Sequence, residues 1–148
     1  MKFPVNLKTV VSADNLPDGR YRMRIVKPTI YPKDQEIDES GAVVGQTWDD
    51  GNQKYGQLRL GLRFIEHPSN YVPGADGKVQ SLVGQTRFDS VNLDRYRMLN
   101  ELYAAVGVDT DAEVEALGEQ EVDVVYKTYK KRDGTEATGL QGFRKPVG

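Results

Sequence analysis

The stretch Gln57-Leu58-Arg59-Leu60-Gly61-Leu62-Arg63-Phe64 decides the fold, because Leu58, Leu60, Leu62 and Phe64 alternate with Gln57, Arg59, Gly61 and Arg63. A period of two is that of a strand with one face in a core and the other in water. The strand is expected over residues 56–65. Upstream, Arg20-Tyr21-Arg22-Met23-Arg24-Ile25-Val26-Lys27 alternates in the same way, with Tyr21, Met23 and Ile25 inward and Arg20, Arg22 and Arg24 outward. It follows Leu16-Pro17-Asp18-Gly19, a turn by composition. Downstream, residues 81–89 read as a weaker third strand, with Phe88 inward and Arg87 outward.

The period then changes. Leu99, Leu102, Tyr103 and Val106 recur at helical spacing and predict an amphipathic helix over 95–106, with Asp94 as its N-cap and Gly107 as its stop. Thr110 and Glu113 have capping-box spacing and predict a second short helix over 111–117. Val122, Val124 and Tyr126 restore alternation over 121–130, Asp133-Gly134 marks a hairpin turn, and 136–144 returns as the last strand. Residues 28–55, with Pro28, Pro32 and six acidic side chains, predict a long mobile or irregular excursion holding a small hairpin around Gly41 and Trp48. Residues 67–80 predict another loop. Three strands, a helix and two strands is the order of the OB-fold. The expected class is therefore all-β, an OB-fold-like five-stranded Greek-key barrel with one helix between strands 3 and 4, plus long loops. The 148 residues suit one hydrophobic core, and a single domain over 1–148 is expected.

Composition narrows the chemistry. The chain has no Cys, so disulfides, thiolate zinc sites and cysteine nucleophiles are excluded. Its one His, His67, stands before Pro68, which leaves a His-based triad hard to build. The acidic run from Asp34 starts like a calcium loop but has Glu39 where Gly is needed and Gly45 where Glu is needed. No phosphate-cradling or dinucleotide-binding glycine motif is present, so neither cofactor nor metal is expected, and the chain reads as a non-enzyme. Asp49-Asp50 could hold magnesium, but adjacent loop acids are far more often simply solvated. The opening Met1-Lys2-Phe3-Pro4 has no apolar leader and no run is long enough to span a membrane, which makes an intracellular, soluble protein the expectation.

Net charge is −2, yet the signs come in blocks. Residues 1–30 hold six basic and two acidic side chains, 31–52 one and six, 53–90 five and three, 91–126 two and nine, and 127–148 six and two. The outward strand positions carry Arg20, Arg22, Arg24, Lys27, Arg59, Arg63 and Arg87 with no acid among them. The last hairpin adds Lys127, Tyr129, Lys130, Lys131 and Arg132. Arg offers planar contacts to phosphate and bases. Loop aromatics Tyr31, Trp48, Tyr55 and Tyr71 flank these strands, and aromatics interleaved with cations are how single strands are held. The candidate nucleic-acid-binding set is Arg20, Arg22, Arg24, Trp48, Tyr55, Arg59, Arg63, Arg87, Lys127, Tyr129, Lys131 and Arg132.

Leu16-Pro17-Asp18-Gly19-Arg20-Tyr21, residues 57–64, Asn92-Leu93 with the helix end at Gly107, and Ala116-Leu117-Gly118 before Val122-Asp123-Val124 resemble small bacteriophage single-stranded DNA-binding proteins of the OB-fold-like type. The resemblance spans roughly residues 16–146. It implies a sequence-independent binder of single-stranded DNA in phage replication or recombination, in the cytoplasm of a bacterial host cell. Its partners would be replication or recombination proteins or further copies of itself. Cellular relatives commonly end in an acidic tail, whereas this chain ends Gly142-Phe143-Arg144-Lys145-Pro146-Val147-Gly148, which puts recruitment through a tail in doubt. Two other readings stand beside it: a protein-interaction barrel, such as a phage structural or accessory subunit, whose basic face meets an acidic partner, and a metal-dependent nuclease using loop carboxylates.

Overall fold

A computed structural model describes residues 16, 18–66 and 82–147. The elements are β1 (Gly19–Tyr31), β2 (Ala42–Thr47), β3 (Gln53–Tyr55), β4 (Gln57–Phe64), β5 (Thr86–Asn92), α1 (Tyr96–Val106), a 3₁₀ turn at Val114–Leu117, β6 (Glu121–Lys130) and β7 (Glu136–Arg144). Five strands form an antiparallel sheet in the order β5-β4-β1-β6-β7, and β2 and β3 form a separate two-stranded sheet. The loop expected over 67–80, Tyr71 and His67 lie outside the described residues.

Alternation places the core as read. Tyr21, Met23, Ile25, Leu58, Leu60, Leu62, Phe64, Val122, Val124 and Tyr126 are all buried, joined by Leu102 of α1 and Phe143 of β7. Tyr21 packs edge-on against both Phe64 (5.8 Å) and Tyr126 (5.9 Å). Helix α1 ends at Gly107, whose φ of 71° lets its amide reach back into the last turn.

Several expectations change. Strand β1 does not stop at Lys27 but continues to Tyr31. Lys27 and Pro28 together face Leu60, a bulge that accommodates a residue with no N–H to donate. The hairpin expected in the acidic excursion is present as β2–β3, and the stretch is more regular than expected. Asp34–Gln35 apart, Ile37 bridges to Val43, and Gly41 and Gly56 pack under Leu93, where a Cβ on Gly41 would stand 2.6 Å from Leu93 Cβ. The helix starts one residue late, with Arg95 at the N-cap and no side-chain cap, so Asp94 does not cap it. The Thr110–Glu113 box does not form. Glu113 itself precedes a single 3₁₀ turn, because Leu117 is drawn into the core only four residues on.

The third strand is shifted and inverted. It is Thr86–Asn92, and Leu62 pairs with Arg87 and Gly61 with Phe88. Residues directly opposite share a face. Arg87 is therefore inside (9 % exposed) and Phe88 outside (75 % exposed). Among the described residues β5 and β7 are not paired through their backbones, so no closed barrel forms. A side chain spans the seam instead: Arg87 Nη2 donates to the Thr138 carbonyl (2.6 Å), an acceptor that a ladder partner would otherwise take.

Candidate nucleic-acid interface

The seam fixes one border of the candidate surface. Arg87 Nε pairs with Asp89 (3.1 Å), the guanidinium lies 4.6 Å from the Tyr126 ring centroid, and the Tyr126 hydroxyl donates to Asp89 Oδ2 (2.7 Å). Burial and the Asp89 carboxylate hold the Tyr126 phenol well above its ordinary value. Arg87 is thus a partner within the fold, not the outward phosphate contact expected of it.

The outer face divides in two. On the β1–β6 half, Arg20 Nε donates to Asp123 Oδ2 (2.6 Å), Arg22 Nε to Asp123 Oδ1 (3.1 Å), and Arg24 Nη2 reaches Glu121 (3.3 Å). Arg20 and Arg22 also donate to the carbonyls of Lys145 and Val147, which draws the last described residues across this half and leaves Asp123 only 4 % exposed. The arginine row that looked free in the sequence is matched by carboxylates from residues 121–123, which pair beside it in register.

The β4–β5 half is different. Its outward positions are Gln57, Arg59, Gly61 and Arg63 on β4 and Thr86, Phe88, Ser90 and Asn92 on β5, with two arginines and no acid. Thr29 and Tyr31 continue it onto β1, opposite Arg59 and Gln57. A groove of about 550 Å³ runs here, lined by Lys27, Thr29, Gln57, Arg59, Gly61, Phe88 and Ser90, with Asp89, whose carboxylate is turned inward to Arg87 and Tyr126. Gly61 shapes it: a Cβ there would stand 2.7 Å from Val26 Cγ2 and 3.3 Å from the Phe88 ring. The missing side chain leaves room for the exposed Phe88 ring beside the strand. Arg59 stacks on Tyr31, its guanidinium carbon 3.6 Å from the ring centroid. Arg63 sits opposite Arg24 and has no ion pair among the described residues. Like charges facing across a ladder are destabilising unless an anion joins them. Lys27, at φ 48°, is held in the left-handed region by the bulge and exposed at the groove edge.

The remaining candidates lie elsewhere. Tyr129 is half exposed, its ring 2.9 Å from where a Gly139 Cβ would be, and Lys127, Lys131 and Arg132 are exposed around the β6–β7 turn. Trp48 and Tyr55 belong to the β2–β3 hairpin, with Asp49 and Asp50 at its turn. Sequence reading placed Phe88 inward, and it named Lys27 and Tyr31 as an outward cation and a flanking aromatic without including them in the candidate set, where the structure puts Lys27 at the groove's edge and stacks Arg59 on Tyr31. The one available signal for Phe88 was Gly61, a glycine inside a strand, which marks a close approach by something. Among the described residues no three His, Cys, Asp or Glu side chains converge as metal ligands, and no helix is long and apolar enough to cross a membrane. No protein-family model matches the chain, and no curated protein matches it significantly.

Proposed function

We propose that the chain is a non-enzymatic, largely sequence-independent single-stranded DNA-binding protein, acting in phage DNA replication or recombination within a bacterial host, and that its sheet is an OB-like barrel opened at one seam. Support for the OB-like reading is the strand order. Setting aside the β2–β3 hairpin, the five long strands run third-second-first-fourth-fifth with α1 between third and fourth, the order of such a barrel cut between its third and fifth strands. The observation that carries the function is the acid-free face of β4 and β5, where Phe88 lies exposed on Gly61 between Arg59 and Lys27. An exposed ring offers a face to any base, which is why such binding tolerates sequence, while the cations follow phosphates.

The test is a titration of labelled oligo-dT, of duplex of the same length and of a poly-glutamate competitor. Preference for the single strand, with little competition by the peptide, supports the reading. Equal affinity for duplex, or displacement by poly-glutamate, contradicts it and favours a surface for acidic proteins. Oligonucleotide left intact in magnesium separates binding from nuclease activity.

A further inference from the structure

Among the described residues the β2–β3 hairpin is a two-stranded sheet that pairs with no strand of the main sheet, and it carries Val44, Trp48 and Tyr55 exposed. Trp48 is 59 % exposed yet held in place: Lys54 Nζ stands 4.6 Å from its ring centroid, and its backbone closes the turn with Asn52 and Gly51. A fixed, exposed Trp is the residue type most often found to dominate protein interfaces. Even with Lys54 against the ring, its surroundings do not suit a polyanion, since residues 31–55 hold six acids against Lys33 and Lys54.

The complement is on the same chain but at the opposite end of β1. The hairpin follows Tyr31, the last residue of β1. The β6–β7 turn extends past its first, because Gly19 pairs with Tyr126 and the Thr128 amide donates to Asp18. That turn presents Lys127, Lys130, Lys131 and Arg132 with Tyr129, four cations against Asp133 and Glu136, the latter opposite Lys130. Asp133 is tied into its own turn by the Thr135 amide and hydroxyl, which hold its carboxyl below the usual range. β1 is 13 residues long, about 40 Å of extended chain, which keeps the two surfaces of one molecule apart.

We infer that copies of this protein associate head to tail, the acidic Trp48 hairpin of one docking on the basic β6–β7 turn of the next. Contacts between two different surfaces repeat from copy to copy and build open chains, or rings where the rotation between neighbours closes. The inference does not depend on nucleic acid, and its test uses none.

Sedimentation velocity of the full chain from nanomolar to high micromolar concentration, at low and high salt, reads the association, while the emission of Trp48, the only Trp in the chain, reports the contact. Mass should rise with concentration at low salt, with a blue shift of Trp48 in step, and fall back at high salt. Glu36, Glu39 and Asp49 are exposed with no side-chain partner among the described residues. E36K/E39K/D49K and K130E/K131E/R132E, each checked for an unchanged melt, should each weaken self-association by about tenfold or more. An equimolar mixture of the two should restore it, because reversed arm meets reversed turn. A protein monomeric throughout, association without a Trp48 shift, triple variants that associate as the wild type does, or a mixture that stays monomeric overturns the proposal.

Discussion

Arg87 and Phe88 exchange the faces that their sequence order suggests, and both consequences are measurable. Phe88 contributes little to the core, so Phe88→Ala should leave thermal stability nearly unchanged while weakening oligo-dT binding by ~1–3 kcal/mol. Arg87 sits between the Asp89 carboxylate and the Tyr126 ring, and Arg87→Leu strands a buried carboxylate. Denaturant unfolding should show a loss of about 3–5 kcal/mol. A sequence-based choice between the two faces is hard here. A Phe normally wins the core, and only the pairing of Arg87 with Leu62, and the Asp89 that accompanies it inside, reverses that preference. Lys27 is the other residue whose position follows from backbone alone. Lys27→Gly relieves a left-handed lysine, so the variant should melt no lower than the wild type yet bind single strands more weakly.

At the level of elements, strands with one-sided patterns were legible and those balanced by distant partners were not. Residues 57–64 give their buried face directly, and Leu60→Ala should cost ~2–5 kcal/mol in chemical denaturation through the cavity it leaves, with binding lost only as the fold is lost. The arginine row of β1 was legible as outward but not as neutralised, because Asp123 and Glu121 come from a strand roughly a hundred residues later. The hairpin's seat was hidden for a similar reason. Gly41 and Gly56 look like loop glycines, yet both make room for Leu93 at the β5–α1 junction. The helix was read from its apolar spacing, while the single 3₁₀ turn reflects packing that pulls Leu117 inward sooner than a capping box allows.

For the molecule as a whole, the seam sets an alkaline limit. The Tyr126 phenol is raised in the folded state, so the unfolded chain, titrating near pH 10, loses its proton first. Stability should be complete below that pH and decline as pH rises above it, with Tyr126 ionising only as the protein unfolds in a spectrophotometric titration. The β4–β5 face makes a quantitative claim on salt: with Lys27, Arg59 and Arg63 as phosphate contacts, the log–log slope of affinity should be about −2, and Arg59→Ala with Arg63→Ala should flatten it by about one unit or slightly more. The most direct test of that face is ultraviolet cross-linking of oligo-dT to the full chain, with the attachment site mapped by peptide mass. Adducts are expected at Phe88, with Tyr31 second. Adducts confined to Trp48 or Tyr129, with Phe88 untouched, would contradict this expectation.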